Sequence, residues 1–311
     1  MLTVVLVATL ATRVLWQQWR AVEVEAAERS RTQAAWVLTG ALDWARLILR
    51  EDARKGGADH LAEPWAVPLA QARLSTFLAA DRSDALAADE TQDAFLSGQI
   101  VDLQSRLNVT SLVQDGQFHT PSRLAFARLF ELLNLPQNEL DAMTRQVRQA
   151  LHSPAGAPAL SGGTAAAPAP LWPQEVAQLA WLGLSASSLA ALRPYITVLP
   201  VPTPVNLNTA AAEVIYACVD AFELADAHRL VRARSATHLS HLGEAGQAAG
   251  KVTAQFNERQ HSVASRFFEI RGQLQVDQTT VEELSVVQRD GLEVKTLWRQ
   301  RGAGTAVAPL Q

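Results

Sequence analysis

The sequence predicts an α+β fold, with a long N-terminal helix laid against an antiparallel sheet that carries a helical insertion between its strands. Three observations predict it. Residues 1–54 run without a proline and with a single glycine, Gly40, as far as the Lys55-Gly56-Gly57 break. Strand-like alternation comes in two separated blocks, residues 95–113 and 263–298. Between them, from Pro121 to about residue 234, the apolar period turns helical.

At about 1.5 Å per residue the first helix is a rod of about 80 Å. A compact domain has little use for such a length. A chain anchored at one end, or packed lengthwise on similar rods, does. The rod opens apolar, with Leu2, Val5, Leu6 and Leu10 in MLTVVLVATLAT, until Arg13 interrupts. That run is shorter than the roughly 20 apolar residues a membrane span needs. Trp16 and Trp19, beside Arg13 and Arg20, have the chemistry of an interfacial belt. Residues 1–20 are therefore expected to be a membrane-embedded segment whose leader and first residues lie upstream of Met1. No small-residue cleavage site followed by a change of composition is present. Residues 21–56 form the second half of the rod. There Val37, Leu38, Ala41, Ala45, Ile48 and Leu49, starting from Ala34, repeat on one helix face, which is expected to pack on the sheet. The Gly56-Gly57 pair stops the helix.

An extended entry follows around Trp65, between Pro64 and Pro68, and then a short strand or helix at 72–78. Residues 81–93 (DRSDALAADETQD) form an acidic loop. Residues 95–103 and 106–113, divided by Gln104-Ser105, are expected to pair as a β-hairpin. Helices are expected at 121–133, 140–151, 176–182, 187–192, 209–219 and 225–234, with an Ala/Gly/Pro/Ser-rich loop at 153–170. The chain closes with a strand at 263–276 and a hairpin, 283–289 with 292–298, around Asp290-Gly291. The expected divisions are 57–118 with 262–300 for the α/β part, 119–261 for the inserted helical domain, and 301–311 for a flexible tail.

Composition excludes several classes. A hydrophobic fraction of 48% is that of a globular chain, and a net charge of −4 gives no general attraction to nucleic acid or acidic lipid. The lone cysteine, Cys218, excludes an internal disulfide and any CxxC metal site; in the run Val214-Ile215-Tyr216-Ala217-Cys218-Val219 it reads as a buried, inert residue. The seven histidines are scattered without HExxH, although His238 and His241 could pair on a helix. No phosphate loop, nucleophile elbow or GxGxxG occurs, so no enzyme constellation is expected. Asp81, Asp84, Asp89, Glu90 and Asp93 could offer oxygens to Ca²⁺ but lack the order of an EF-hand. The turns Leu182-Gly183-Leu184-Ser185 and Leu133-Asn134-Leu135-Pro136 are of the helix-hairpin-helix kind that grips a nucleic-acid backbone. Only one carries a glycine, and neither neighbourhood is basic. A nucleic-acid-binding module is the alternative reading.

Specific strings go further. Residues 41–50 (ALDWARLILR) with 59–66 (DHLAEPWA), then Gly98-Gln99-Ile100-Val101-Asp102, Arg106-Leu107-Asn108-Val109, residues 205–210 (VNLNTA) and Ser265-Arg266-Phe267-Phe268, in that order, resemble the type II secretion system protein K family, the largest minor pseudopilins. The resemblance implies a pilin-like fold: the long helix on an antiparallel sheet, with a large all-α domain inserted between strands. It implies a structural subunit that initiates and caps the tip of a periplasmic pseudopilus, for export of folded proteins across the outer membrane. The chain would be a single-pass inner-membrane protein with its head in the periplasm. Its implied partners are the minor pseudopilins I and J (and H), inner-membrane lipid, secreted substrates or the secretin, and the prepilin peptidase that removes a leader; nucleic acid is not among them. Most pseudopilins carry a glutamate at mature position five, which the K family lacks; here no acidic residue precedes Glu23. No cofactor is required. Some members bind Ca²⁺ in the head, but no ligand set transfers onto this sequence.

Overall fold

The structure is a computed structural model that describes residues 2–74, 94–114, 116–152, 171–276 and 279–303. The acidic loop 81–93 and the loop 153–170 lie outside the described residues, as does most of the segment expected at 72–78.

Helix α1 (Leu2–Lys55) is one uninterrupted element. It ends where expected, because Gly56 takes φ 67°, a left-handed conformation that closes a helix at little cost only in glycine. A 3₁₀ turn (Pro64–Ala66) buries Trp65, and strands β1 (Leu69–Arg73) and β2 (Ala94–Asp102) follow. The closing strands are β9 (Phe267–Val276), β10 (Thr279–Asp290) and β11 (Glu293–Ala303). These five make an antiparallel sheet of order β1-β2-β9-β10-β11. β2 and β9 are neighbours in space although the whole helical block separates them in sequence, so the insert leaves the sheet at Asp102 and returns just before Phe267.

Period two puts alternate residues of each strand under α1. The rows across the sheet are Leu96–Leu274–Val281, Gly98–Gly272–Glu283, Ile100–Ile270–Ser285 and Asp102–Phe268–Val287. On the helix, Leu38, Ala45 and Leu49 are buried against this face, and Val37, Ala41 and Ile48 flank them half-buried. Leu42, which the sequence reading left off this face, is buried in the same core with Trp65 and Phe268.

The insert contains short strands β3 (Leu107–Asn108), β4 (Val113–Gln114) and β5 (Gln117–Phe118), helices α2 (Thr120–Leu132) and α3 (Gln137–His152), a 3₁₀ helix (Val176–Leu182), and α4 (Ala186–Leu192). Strands β6 (Ile196–Thr197) and β7 (Val205–Asn206), helices α5 (Ala212–Cys218), α6 (Leu224–Ala236) and α7 (Ala245–Ala248), and strand β8 (His261–Ser262) complete it. Its core is separate from that of the sheet and is built on Phe126, Phe130, Met143, Leu192, Ile215 and Leu230.

Three expectations need correction. The hairpin of 95–103 with 106–113 does not form, because β2 pairs with β1 and β9 instead. The strand stops at Asp102, whose carboxylate accepts from the Gln104 amide and starts a 3₁₀ turn; Asn108 does the same for the turn at Val109–Leu112. The boundary at 119 is also too late, since Leu107, Val109, Leu112 and Val113 belong to the core of the insert. The tail expected from 301 instead continues β11 to Ala303, with Arg301 opposite Glu283 and bonded to its carboxylate.

The β10–β11 turn is the two-residue loop Gly291-Leu292, in which Gly291 has φ 57°. Gly291→Ala is expected to cost about 1 kcal/mol by urea titration, because a side chain is strained there. Unchanged stability would show that the turn relaxes.

Candidate functional site

The two strands of chain that tie the insert to the sheet meet at a buried polar node, and four of the strings quoted above converge there. Asp102, at the end of β2, is buried. Its Oδ2 accepts from Thr209 Oγ1 at 2.6 Å, Ser265 Oγ at 2.6 Å and Asn206 Nδ2 at 3.2 Å, while Oδ1 takes the Gln104 amide at 2.7 Å. Asn206 also donates to the Asp59 carbonyl at 3.1 Å. One carboxylate thus joins the outgoing chain (102–104), the returning chain (265) and the interior of the insert (206, 209), and Asn206 adds the loop after α1.

The β7–β8 pair holds this geometry, laying Val205-Asn206 parallel to His261-Ser262. Two further asparagines act as local clips. Asn108 donates to the Val201 carbonyl at 2.8 Å and accepts from the Leu199 amide at 3.1 Å; Asn208 exchanges both hydrogen bonds with the Leu239 backbone. Side-chain amides suit these places because each supplies a donor and an acceptor to buried backbone that has no ladder partner.

A second layer reaches α1. Arg289, the last inward residue of β10, bonds Asp52 Oδ2 at 2.8 Å, the Ser265 carbonyl at 2.9 Å and the Asp59 carboxylate. Its guanidinium lies 4.9 Å over the Phe268 ring. Asp59 in turn accepts from the Ser265 amide at 2.6 Å. Glu63 accepts from Trp65 Nε1 at 2.8 Å and from the His60 amide at 2.9 Å. His60 stacks on His238 of the insert, ring centroids 3.8 Å apart and 13° from parallel. Stem, sheet and insert are therefore joined through one continuous set of polar contacts.

Burial dominates the acid–base behaviour here. It pushes the Asp102 carboxyl up to about 6, against the pull of the hydrogen bonds from Ser265, Thr209 and the Gln104 amide. It raises Glu63 to about 7 and also raises Asp59, where the Arg289 charge opposes it. His60 is lowered, first by burial and then by the neighbouring His238. Away from the node, burial drives the Cys218 thiol to about 12, which makes it unreactive.

The Asp52, Asp59 and Glu63 oxygens lie within 4.8 Å of one another, the one convergent carboxylate group among the described residues. They do not fit a Ca²⁺ site, which needs six to eight oxygens free to turn to the ion. Arg289 already occupies Asp52 and Asp59, and Trp65 and His60 occupy Glu63.

Other sequence candidates are placed plainly. Val5, Leu10, Trp16 and Trp19 are exposed along α1, with Arg20 over the Trp16 ring at 4.7 Å; the side chains of Leu2 and Leu6 lie outside the described residues. Among the described residues no helix is long and apolar enough to cross a membrane. His238 and His241 do not pair on a helix; His241 contacts Glu244 at 3.2 Å instead. The Gly183 turn does not present free amides to a phosphate, because Glu139 accepts from the Ser185 amide at 3.1 Å. Sequence reasoning missed Arg289 and Asp52. The available signal was parity, since Arg289 shares the inward register of Ser285 and Val287.

The comparisons with known proteins agree with this architecture. The family described as Type II secretion system (T2SS), protein K matches residues 105–201 and 205–264, together just over half of the chain. The Type II secretion system protein K of Pseudomonas aeruginosa is 24% identical, over 99% of this chain and 94% of that protein. A chain in the crystal structure of the GspK-GspI-GspJ complex from enterotoxigenic Escherichia coli superposes with a TM-score of 0.65 at 17% identity, covering 89% of this chain and 99% of that one. This chain belongs to the type II secretion system protein K family.

Proposed function

We propose that the protein is the minor pseudopilin that initiates and caps the pseudopilus tip, assembling there with the I- and J-type pseudopilins. One observation carries the reading. α1 buries one face on its own sheet and leaves a second apolar face, with Trp36, Trp44 and Leu47, uncovered. An uncovered apolar stripe along a long helix suits lateral packing on similar helices. The node fits a mechanical role, because it fixes the bulky insert rigidly on the stem and so blocks further addition. In this reading Leu2, Val5, Leu6, Leu10, Trp16 and Trp19 lie in or at the inner membrane, and the head stands in the periplasm.

The test is assembly. Full-length chain in detergent, mixed with the I- and J-type pseudopilins of the same secretion system, is expected to elute from size exclusion as one complex. Three separately eluting proteins would overturn the proposal.

A further inference from the structure

α1 does not fill the space beneath it. A cavity of about 260 Å³ lies between α1, the segment around Trp65 and strands β2, β9 and β10. The row Gly98–Gly272–Glu283 explains it, because two adjacent inward positions carry no side chain. Leu38 fills only part of the gap; a Cβ on Gly272 would meet its Cδ2 at 3.2 Å. Leu96 on the same face of β2 is buried, yet Ile100 stays half-buried because this hollow is open beside it.

Two residues that line the cavity, Ser285 and Glu283, carry buried side-chain oxygens with no hydrogen-bond partner among the described residues. Ser285 is 1% exposed, and its Oγ has no hydrogen-bond partner among the described residues. Beside it, Glu283 gives Oε2 to Arg301; its Oε1 lies 3.4 Å from Arg299 but accepts no hydrogen bond. Native proteins pair nearly all buried polar atoms, and one left bare is costly. The rest of the lining is mainly apolar, including Ala41, Trp44, Ile48 and Trp65. An occupant with an apolar body and a hydrogen-bond donor at its tip would satisfy both kinds of wall. Tyrosine and tryptophan have that chemistry. A cavity of roughly 150 Å³ holds a benzene ring, so this one has room for an aromatic side chain.

The cavity shares a wall with the uncovered stripe of α1. At about 100° per residue, Trp36, Leu47, Gly40 and Trp44 fall within an arc of about 80°. Trp36 is 73% and Trp44 45% exposed, and Trp44 is itself a wall of the cavity. A Cβ on Gly40 would meet nothing within 4 Å, which leaves a notch in the stripe where a crossing helix can come close. Trp44 thus belongs both to the stripe and to the wall of the cavity.

We propose that this cavity is a socket for a tyrosine or tryptophan presented by the helix of a neighbouring minor pseudopilin, its O–H or N–H donating to Ser285 Oγ or Glu283 Oε1. The proposal rests on the assembly reading above. It is tested in that mixture with Ala41→Phe, which fills the socket, Ser285→Ala, which removes the acceptor, and a photo-crosslinking residue at Val67, exposed at the rim. Ala41→Phe is expected to weaken the complex more than tenfold and Ser285→Ala about fivefold, the scale of one hydrogen bond. Ser285→Ala alone is expected to raise the Tm of the free chain by about 2 °C, because a bare buried hydroxyl is gone. The crosslink is expected on a partner peptide containing tyrosine or tryptophan. If the wild-type complex forms and both variants bind like wild type, the socket is wrong while the assembly reading stands. If the wild-type complex does not form, both fall. A small molecule carried by the purified chain in native mass spectrometry, lost on Ala41→Phe without effect on assembly, would also overturn the socket. Should Ala41→Phe fail to fold by circular dichroism, Ser285→Ala and the crosslink decide.

Discussion

Replacing Arg289 by alanine is expected to lower the folding free energy by about 3–5 kcal/mol, because it leaves two carboxylates buried without their counter-charge. Asp52 and Asp59 both lose their cation, the Ser265 and Leu49 carbonyls lose a donor, and Phe268 loses the guanidinium over its ring. The loss comes from orphaned charge more than from the pair's own worth, since desolvating ions offsets much of their attraction. Adding Asp52→Asn and Asp59→Asn to Arg289→Met is therefore expected to recover part of the stability lost by Arg289→Ala. Urea unfolding of the four proteins measures this. A loss below about 1 kcal/mol for Arg289→Ala would mean that water reaches these carboxylates and that the layer does not clamp the stem.

The second large effect is at Asp102. Asp102→Ala is expected to cost about 3 kcal/mol, because Thr209, Ser265 and Asn206 are left inside without their common acceptor. Asp102→Asn keeps the shape and exposes the electrostatics. The wild-type carboxyl titrates near 6 in the folded chain, above its ordinary 3.8, so the folded state binds the proton more tightly than the unfolded state does. Its contribution to stability is then fully present below about pH 4 and is lost as pH rises through 6. A shift of about two units corresponds to about 3 kcal/mol across that window. His60 works the other way, its lowered value removing stability as pH falls below 6.5, so the informative quantity is the difference between wild type and Asp102→Asn. That difference should move in favour of wild type on going from pH 7.5 to 4. A constant difference would show that the four hydrogen bonds outweigh burial and that Asp102 titrates normally.

Much of the architecture was legible because it rests on local rules. The break at Gly56, the burial of Leu38, Ala45 and Leu49, and the turn at Gly291 follow from helix period, strand period and the φ a glycine can take. The hairpin failed because Asp102 and Asn108 cap turns with their side chains, which local alternation does not register. The joint was legible in part: its residues lay in strings that stood out as characteristic, with no indication that they meet.

The sequence by itself determined the stem, the face that α1 turns to the sheet and the family, since these depend on spacing along the chain and on ordered strings. Only the tertiary structure decided that Asp59, Asp102, Asn206, Thr209 and Ser265 form one node, that Arg289 ties it to α1, and that Gly98 and Gly272 leave a cavity above Ser285. The physical reason is the insertion. It places β2 and β9 side by side across more than 160 residues of chain, and no periodicity in the sequence measures a distance that only packing closes.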